Sequence, residues 1–111
     1  VGGISLAKET FKGQINHGIT LVNFYTHGSG PSQEQLLITE EMAQGIRHQA
    51  TVANVDMEQE KALAAEYGVS SVPTLMLFKD GYQVETLVGN QSKEFLLQLI
   101  DRYATMGDSC V

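Results

Sequence analysis

Cysteine is almost missing from this chain: Cys110, next to the C-terminus, is the only one in 111 residues. A lone thiol has no partner within the chain, so no internal disulfide framework holds the fold, and a reducing setting such as the cytoplasm is expected. Basic residues are few as well, 7 Lys and Arg against 13 Asp and Glu, and they are scattered singly. Phosphate backbones are bound by clustered basic surfaces, so nucleic acid is not an expected partner. No apolar run approaches the ~20 residues of a membrane span. The opening Val1-Gly2-Gly3-Ile4 places no basic region ahead of an apolar one, as a signal peptide would. A membrane partner is therefore not expected either. His17, His27 and His48 share no metal-ligand spacing and no second cysteine joins them, which argues for a chain without metal or cofactor.

What is present fits one domain over residues 1–111, with a core at about 4–103 and a polar, flexible tail over 104–111, working as a monomer. Ile4-Ser5-Leu6 reads as a short lead-in strand, and Ala7 to Asn16 as a helix with Leu6, Phe11 and Ile15 inward. The β-branched and aromatic run Ile19 to Tyr25 predicts a central strand buried on both faces. A helix follows from about Ser32 to Gln49, with Leu36, Leu37, Met42, Ala43 and Ile46 on its apolar face. Thr51 to Asp56 alternates as a strand, and Gln59 to Tyr67 gives a short helix that Gly68 ends. Thr74 to Lys79 and Tyr82 to Val88 form a hairpin about Asp80-Gly81. Ser92 then caps a last helix, Lys93 to Tyr103, with Phe95, Leu96, Leu99 and Ile100 inward. The order βαβαβα followed by ββα predicts an α/β fold, a mixed central sheet with helices on both faces.

Chemistry is expected at Phe24-Tyr25-Thr26-His27-Gly28-Ser29-Gly30-Pro31-Ser32-Gln33, where the central strand stops, turns and opens a helix. The N-terminus of a helix presents unpaired N–H groups and partial positive charge, a setting that stabilises an anion such as a thiolate. Together with Val69-Ser70-Ser71-Val72-Pro73-Thr74 and the apolar strand after it, this pattern resembles the thioredoxin family, whose signature loop is Trp-Cys-Gly-Pro-Cys. The resemblance runs from about Leu6 to Tyr103 and implies the thioredoxin fold and protein-disulfide oxidoreductase activity, with electron transfer to disulfides as the family role.

Both cysteines of that loop are serines here. The resemblance places the catalytic positions at Ser29 and Ser32, with Asn23 where the family commonly has a buried Asp that moves a proton. Asn54 stands where a Lys often faces that Asp, Gly28 replaces the tryptophan, and Leu37 replaces a helix-kinking proline. The implied substrate surface is Gly28, Gly30, Pro31, Val72, Pro73 and Gly89, with Pro73 cis. Implied partners are disulfide-containing or extended polypeptides and a thioredoxin reductase. A serine hydroxyl cannot exchange electrons with a disulfide, so the chain is expected to be redox-inactive. Ser-Gly-Pro-Ser arises either by replacement of both cysteines in an active enzyme or in a natural redox-inactive relative that binds peptides or acts as a chaperone. Asn23 and Asn54 are expected to face the core near Ser32 and to hydrogen-bond to each other directly or through a water, and α-helical pairing is expected to run unbroken through Leu37.

Overall fold

The computed structural model describes residues 3–109. Cys110 lies outside the described residues. The chain runs β1 (Ile4–Ser5), α1 (Lys8–Ile15), β2 (Ile19–Tyr25), α2 (Gly30–Ile46), β3 (Ala50–Asp56), α3 (Lys61–Glu66), β4 (Thr74–Lys79), β5 (Tyr82–Val88) and α4 (Lys93–Ser109). The strands form one sheet in the order β1-β3-β2-β4-β5. β3 pairs in parallel with both β1 and β2, whereas β4 is antiparallel to β2 and β5. This is the mixed sheet expected from the order of elements, and it puts β2 at the centre.

A central strand is covered on both sides, and β2 is buried from Ile19 to Phe24. Val22 and Phe24 face one core layer with Phe11, Ile15, Leu63 and Phe78; Ile19 and Leu21 face the other with Met42, Ile46, Leu96 and Ile100. Phe11 organises the first layer. Its ring meets Phe78 edge-on at 5.6 Å and Tyr67 at 5.0 Å, geometries that the aromatic quadrupole favours. The hairpin turn has positive φ at both Asp80 (50°) and Gly81 (91°), the backbone that Asp-Gly supplies at least cost. It is tied to the end of α1 by Gly18 N–H donating to Asp80 Oδ1 (2.8 Å) and Gly81 N–H donating to Ile15 O (2.9 Å).

The structure corrects four expectations. Leu37, placed on the inner face of α2, is 72% exposed, because the inner stripe is Gln35, Thr39, Met42, Ala43 and Ile46. Phe95 is 42% exposed, since Leu96, Leu99 and Ile100 fill the sheet-facing positions of α4. The last helix does not stop at Tyr103 but continues to Ser109. Tyr103 and Ala104 still pack against the core there, and Thr105 Oγ1 donates back to Asp101 O and Arg102 O (both 3.0 Å). Finally, α2 starts at Gly30 and ends at Ile46, where Gln49 N–H turns back onto Ile46 O (2.7 Å). Between those ends the helix is uninterrupted through Leu37.

Candidate functional site

The site lies at the C-terminal end of β2, where three loops meet. Leaving β2, the chain passes Thr26-His27-Gly28 and enters α2 through Ser29, an extended residue (φ −109°, ψ 125°) whose hydroxyl accepts from Ser32 N–H (3.3 Å). Ser29 is thus an N-cap, and Pro31 sits in the first turn, where its missing N–H costs nothing. Ser32 is fully buried, and its Oγ accepts from Thr26 N–H at 2.9 Å. Gln33 Nε2 donates to Thr26 O (3.2 Å), so Thr26 is held at both its backbone groups. Of the two serines, Ser29 is the more exposed.

Gly28, Gly30 and Pro31 are exposed beside Ser29, and nothing lies within 4 Å of where a Cβ would stand on either glycine. From the second loop comes Val72, half-buried, and Pro73, buried, joined by a cis peptide bond. The third is Gly89, with φ 92°, whose N–H donates to Pro73 O (2.9 Å). Its neighbour Asn90 donates through Nδ2 to Pro31 O (2.9 Å). Hydrogen bonds therefore connect Pro31, Pro73 and the Gly89 segment, three features that lie far apart in the chain.

Beneath the first turns of α2 the core is polar. Asn23 and Asn54 are register partners on β2 and β3, and both are buried, 0% and 8% exposed. No direct bond joins them. Asn54 Nδ2 instead donates to Glu40 Oε2 (2.8 Å), which also accepts from Gly3 N–H (2.9 Å). A bond to a carboxylate is about twice as strong as one between neutral amides, so Glu40, lowered from α2 onto the sheet, takes the donor. Among the described residues, Asn23 Oδ1 and Nδ2 and Asn54 Oδ1 have no hydrogen-bond partner. Burial raises the Tyr25 phenol above its ordinary value, and the carboxylates of Asp56 and Glu40 add to the rise. Next to it, His27 Nε2 lies 3.4 Å from Asp56 Oδ2, an ion pair whenever the imidazole is protonated, and its ring meets that of Tyr25 edge-on at 5.2 Å.

Sequence reasoning missed Gln35, Asn90, Gln91, Glu40 and Asp56. One signal could have found Gln35: a polar side chain i and i+4 with Thr39, aligned with Met42, Ala43 and Ile46. Among the described residues, no group of three His, Cys, Asp or Glu side chains could hold a metal, and no helix is long and apolar enough to cross a membrane.

The chain matches the family model described as Thioredoxin over residues 3–102. It is 37% identical over 99 residues to the thioredoxin of Chlamydia pneumoniae, covering 89% of this chain and 96% of that protein. Over 100 residues it is 32% identical to a thioredoxin of Staphylococcus aureus, covering 90% and 96%. Among solved structures, a mutant thioredoxin from Halobacterium salinarum NRC-1 superposes with a TM-score of 0.84 at 35% identity, over 92% of this chain and 89% of that one. The five-stranded mixed sheet with its flanking helices is that of a thioredoxin fold, and the chain belongs to the thioredoxin family of thiol-disulfide oxidoreductases.

Proposed function

We propose that this chain is a redox-inactive form of a thioredoxin-like protein-disulfide reductase, with Ser29 and Ser32 at the positions of the two redox cysteines. The observation that supports it best is the first turn of α2. A half-exposed Ser29 caps the helix and a fully buried Ser32 lies one turn inward. That is the division an attacking and a resolving sulfur need. The attacker must reach a substrate as a thiolate stabilised by the helix N-terminus, and the resolver must be shielded until the mixed disulfide forms. In the full reaction two thiols give two electrons and two protons to a substrate disulfide, which leaves as two thiols. Serine oxygen does not enter that exchange, so what this chain retains is the binding surface: Gly28, Gly30, Pro31, Val72, Pro73 and Gly89 would hold an extended or disulfide-containing polypeptide. The family's general chemistry also implies a thioredoxin reductase as partner of a cysteine-bearing form, and a single-domain monomer in the cytoplasm is the setting this reading favours.

A second reading, a natural peptide-binding or chaperone module, draws on Asn23. An amide cannot serve as the proton acceptor that a carboxylate at this buried position would be. Ser29→Cys with Ser32→Cys separates the two. Under the oxidoreductase reading, mild oxidation gives an intramolecular disulfide, the thiol introduced in place of the Ser29 hydroxyl titrates below the ~8.5 of free cysteine, and insulin disulfides are reduced. Asn23→Asp in that background should raise the rate further, and the unaltered chain should show no turnover. Failure of the double variant to form the disulfide overturns the oxidoreductase reading in favour of the binding module.

A further inference from the structure

Gly89-Asn90-Gln91 breaks β5 from α4, and each of its three residues is hydrogen-bonded away from it, Gly89 to the loop before β4 and Asn90 and Gln91 to α2. Gly89 N–H goes to Pro73 O (2.9 Å) and Asn90 Nδ2 to Pro31 O (2.9 Å). Gln91 is held from both sides by one amide: its N–H donates to Gln35 Oε1 (2.6 Å) and its carbonyl accepts from Gln35 Nε2 (3.2 Å). Gln35 is fully buried on α2, one turn beyond Ser32. A buried amide is costly unless satisfied, and Gln35 spends both ends on the backbone of one residue of a loop. A leucine would fill the same inner position without that expense. Packing alone therefore does not account for a glutamine here.

We propose that Gln35 is a positioning residue for the polypeptide groove: its two-ended bond to Gln91, with the outer bond from Asn90 to Pro31, clamps the Gly89 wall to the start of α2, so that the groove is preformed before ligand arrives. The groove itself rests on the reading under Proposed function. The clamp is a property of the free protein. Its consequence is that affinity for an extended chain depends on a side chain that never touches it, because a mobile wall would have to be ordered on binding and that ordering lowers affinity.

The test uses the full chain, labelled with nitrogen-15, and reduced, alkylated insulin B chain as the extended probe. In Gln35→Leu, exchange of the Gln91 N–H should speed up by about tenfold or more relative to Leu75 in β4, the loss of roughly one net buried hydrogen bond. Affinity for the B chain should fall several-fold. Gln35→Glu adds a readout that a packing role would not move. A protonated carboxyl accepts from Gln91 N–H and donates to Gln91 O as the amide does, whereas the ionised one keeps only the first bond and turns a negative oxygen to the carbonyl. The Ser92 amide nitrogen shift, which reports the bonding of the Gln91 carbonyl, should therefore titrate in this variant and not in the unaltered chain. If Gln35→Leu does not fold, Asn90→Ala removes the outer bond at an exposed position, and the resonances of Gly89 and Gln91 should shift and their exchange accelerate. Unchanged exchange at Gln91 in Gln35→Leu, or no pH response in Gln35→Glu, overturns the clamp. Faster exchange with unchanged B-chain affinity overturns its role in the groove. If the unaltered chain does not bind the B chain at all, the groove reading fails and the clamp stands or falls on the exchange rates.

Discussion

Replacing Asn23 with leucine should make this protein more stable. Asn23 sits on the central strand between Asn54 and Leu75, 0% exposed, and neither end of its amide has a hydrogen-bond partner among the described residues. Leaving a buried donor or acceptor unpaired costs about 1–3 kcal/mol. Leucine has the branched shape of asparagine and is somewhat larger, so the substitution removes two unpaired groups without opening a cavity. Imperfect fit takes back about 1 kcal/mol or more. The net expectation is a gain of roughly 1–3 kcal/mol, or a Tm higher by roughly 4–12 °C for a domain of this size. Urea and thermal unfolding followed by circular dichroism measure it directly. Asn54→Leu is the contrast: it loses the charge-assisted bond to Glu40 at 2.8 Å, worth about 1.5–3 kcal/mol, while removing an unpaired Oδ1 worth about 1–3 kcal/mol, so no net gain is expected. If Asn23→Leu destabilises by more than about 1 kcal/mol, Asn23 is satisfied in solution and the argument from its unpaired amide is wrong.

Three further outcomes follow from the backbone and the phenols. Gly81→Ala should lower stability by about 1–2 kcal/mol in urea, because φ is 91° there and the new Cβ would stand 3.0 Å from Asn16 Oδ1. Gly13→Ala should raise stability by about 0.5–1 kcal/mol, since Gly13 lies within α1 with nothing within 4 Å of its missing Cβ; a loss would show that the helix needs its glycine. Tyr103 donates to Glu85 Oε2 (2.6 Å), and this bond, aided by burial and by the Glu85 charge, holds its phenol above the ordinary 10.0. A raised folded-state value means that the stabilisation is complete below the unfolded value of about 10 and is lost as the pH climbs through the folded one. Tyr103→Phe should therefore flatten the alkaline limb of a stability-against-pH curve, and an identical limb in both proteins would refute the assignment.

The strands were legible almost to the residue: β2, β4 and β5 begin and end where their β-branched and aromatic runs do, and Asp80-Gly81 marks its turn. Ser29 as a cap and Ser32 as the inner position were equally open to reading, because both follow from where a strand stops and Pro31 begins a helix. The face of α2 was not. Periodicity finds a buried face by its apolar residues, and here the first two inner positions after Ser32 are Gln35 and Thr39, so the apolar stripe looked as though it began at Leu36 and Leu37. The partner of Asn54 was illegible for a related reason: Glu40 is distant in sequence and acidic, and only the docking of α2 brings it over the sheet.

The same misread helix explains how the site is held. Toward its C-terminal end α2 is anchored by Met42, Ala43 and Ile46 against Leu21 and Val52, contacts that are cohesive but indifferent to small rotations. Toward its N-terminal end the contacts are directional: Ser32 with Thr26 and Gln35 with Gln91. A hydrogen bond weakens steeply when its angle degrades, so these bonds resist the rotation that apolar packing tolerates. The half of the helix that carries Ser29 and Ser32 is thus the half whose orientation is specified, and the Ser32 hydroxyl is itself one of the groups that specify it. On the reading proposed above, an exchange reaction restored at Ser29 would begin from a groove whose Gly89 wall is already bonded to the start of α2.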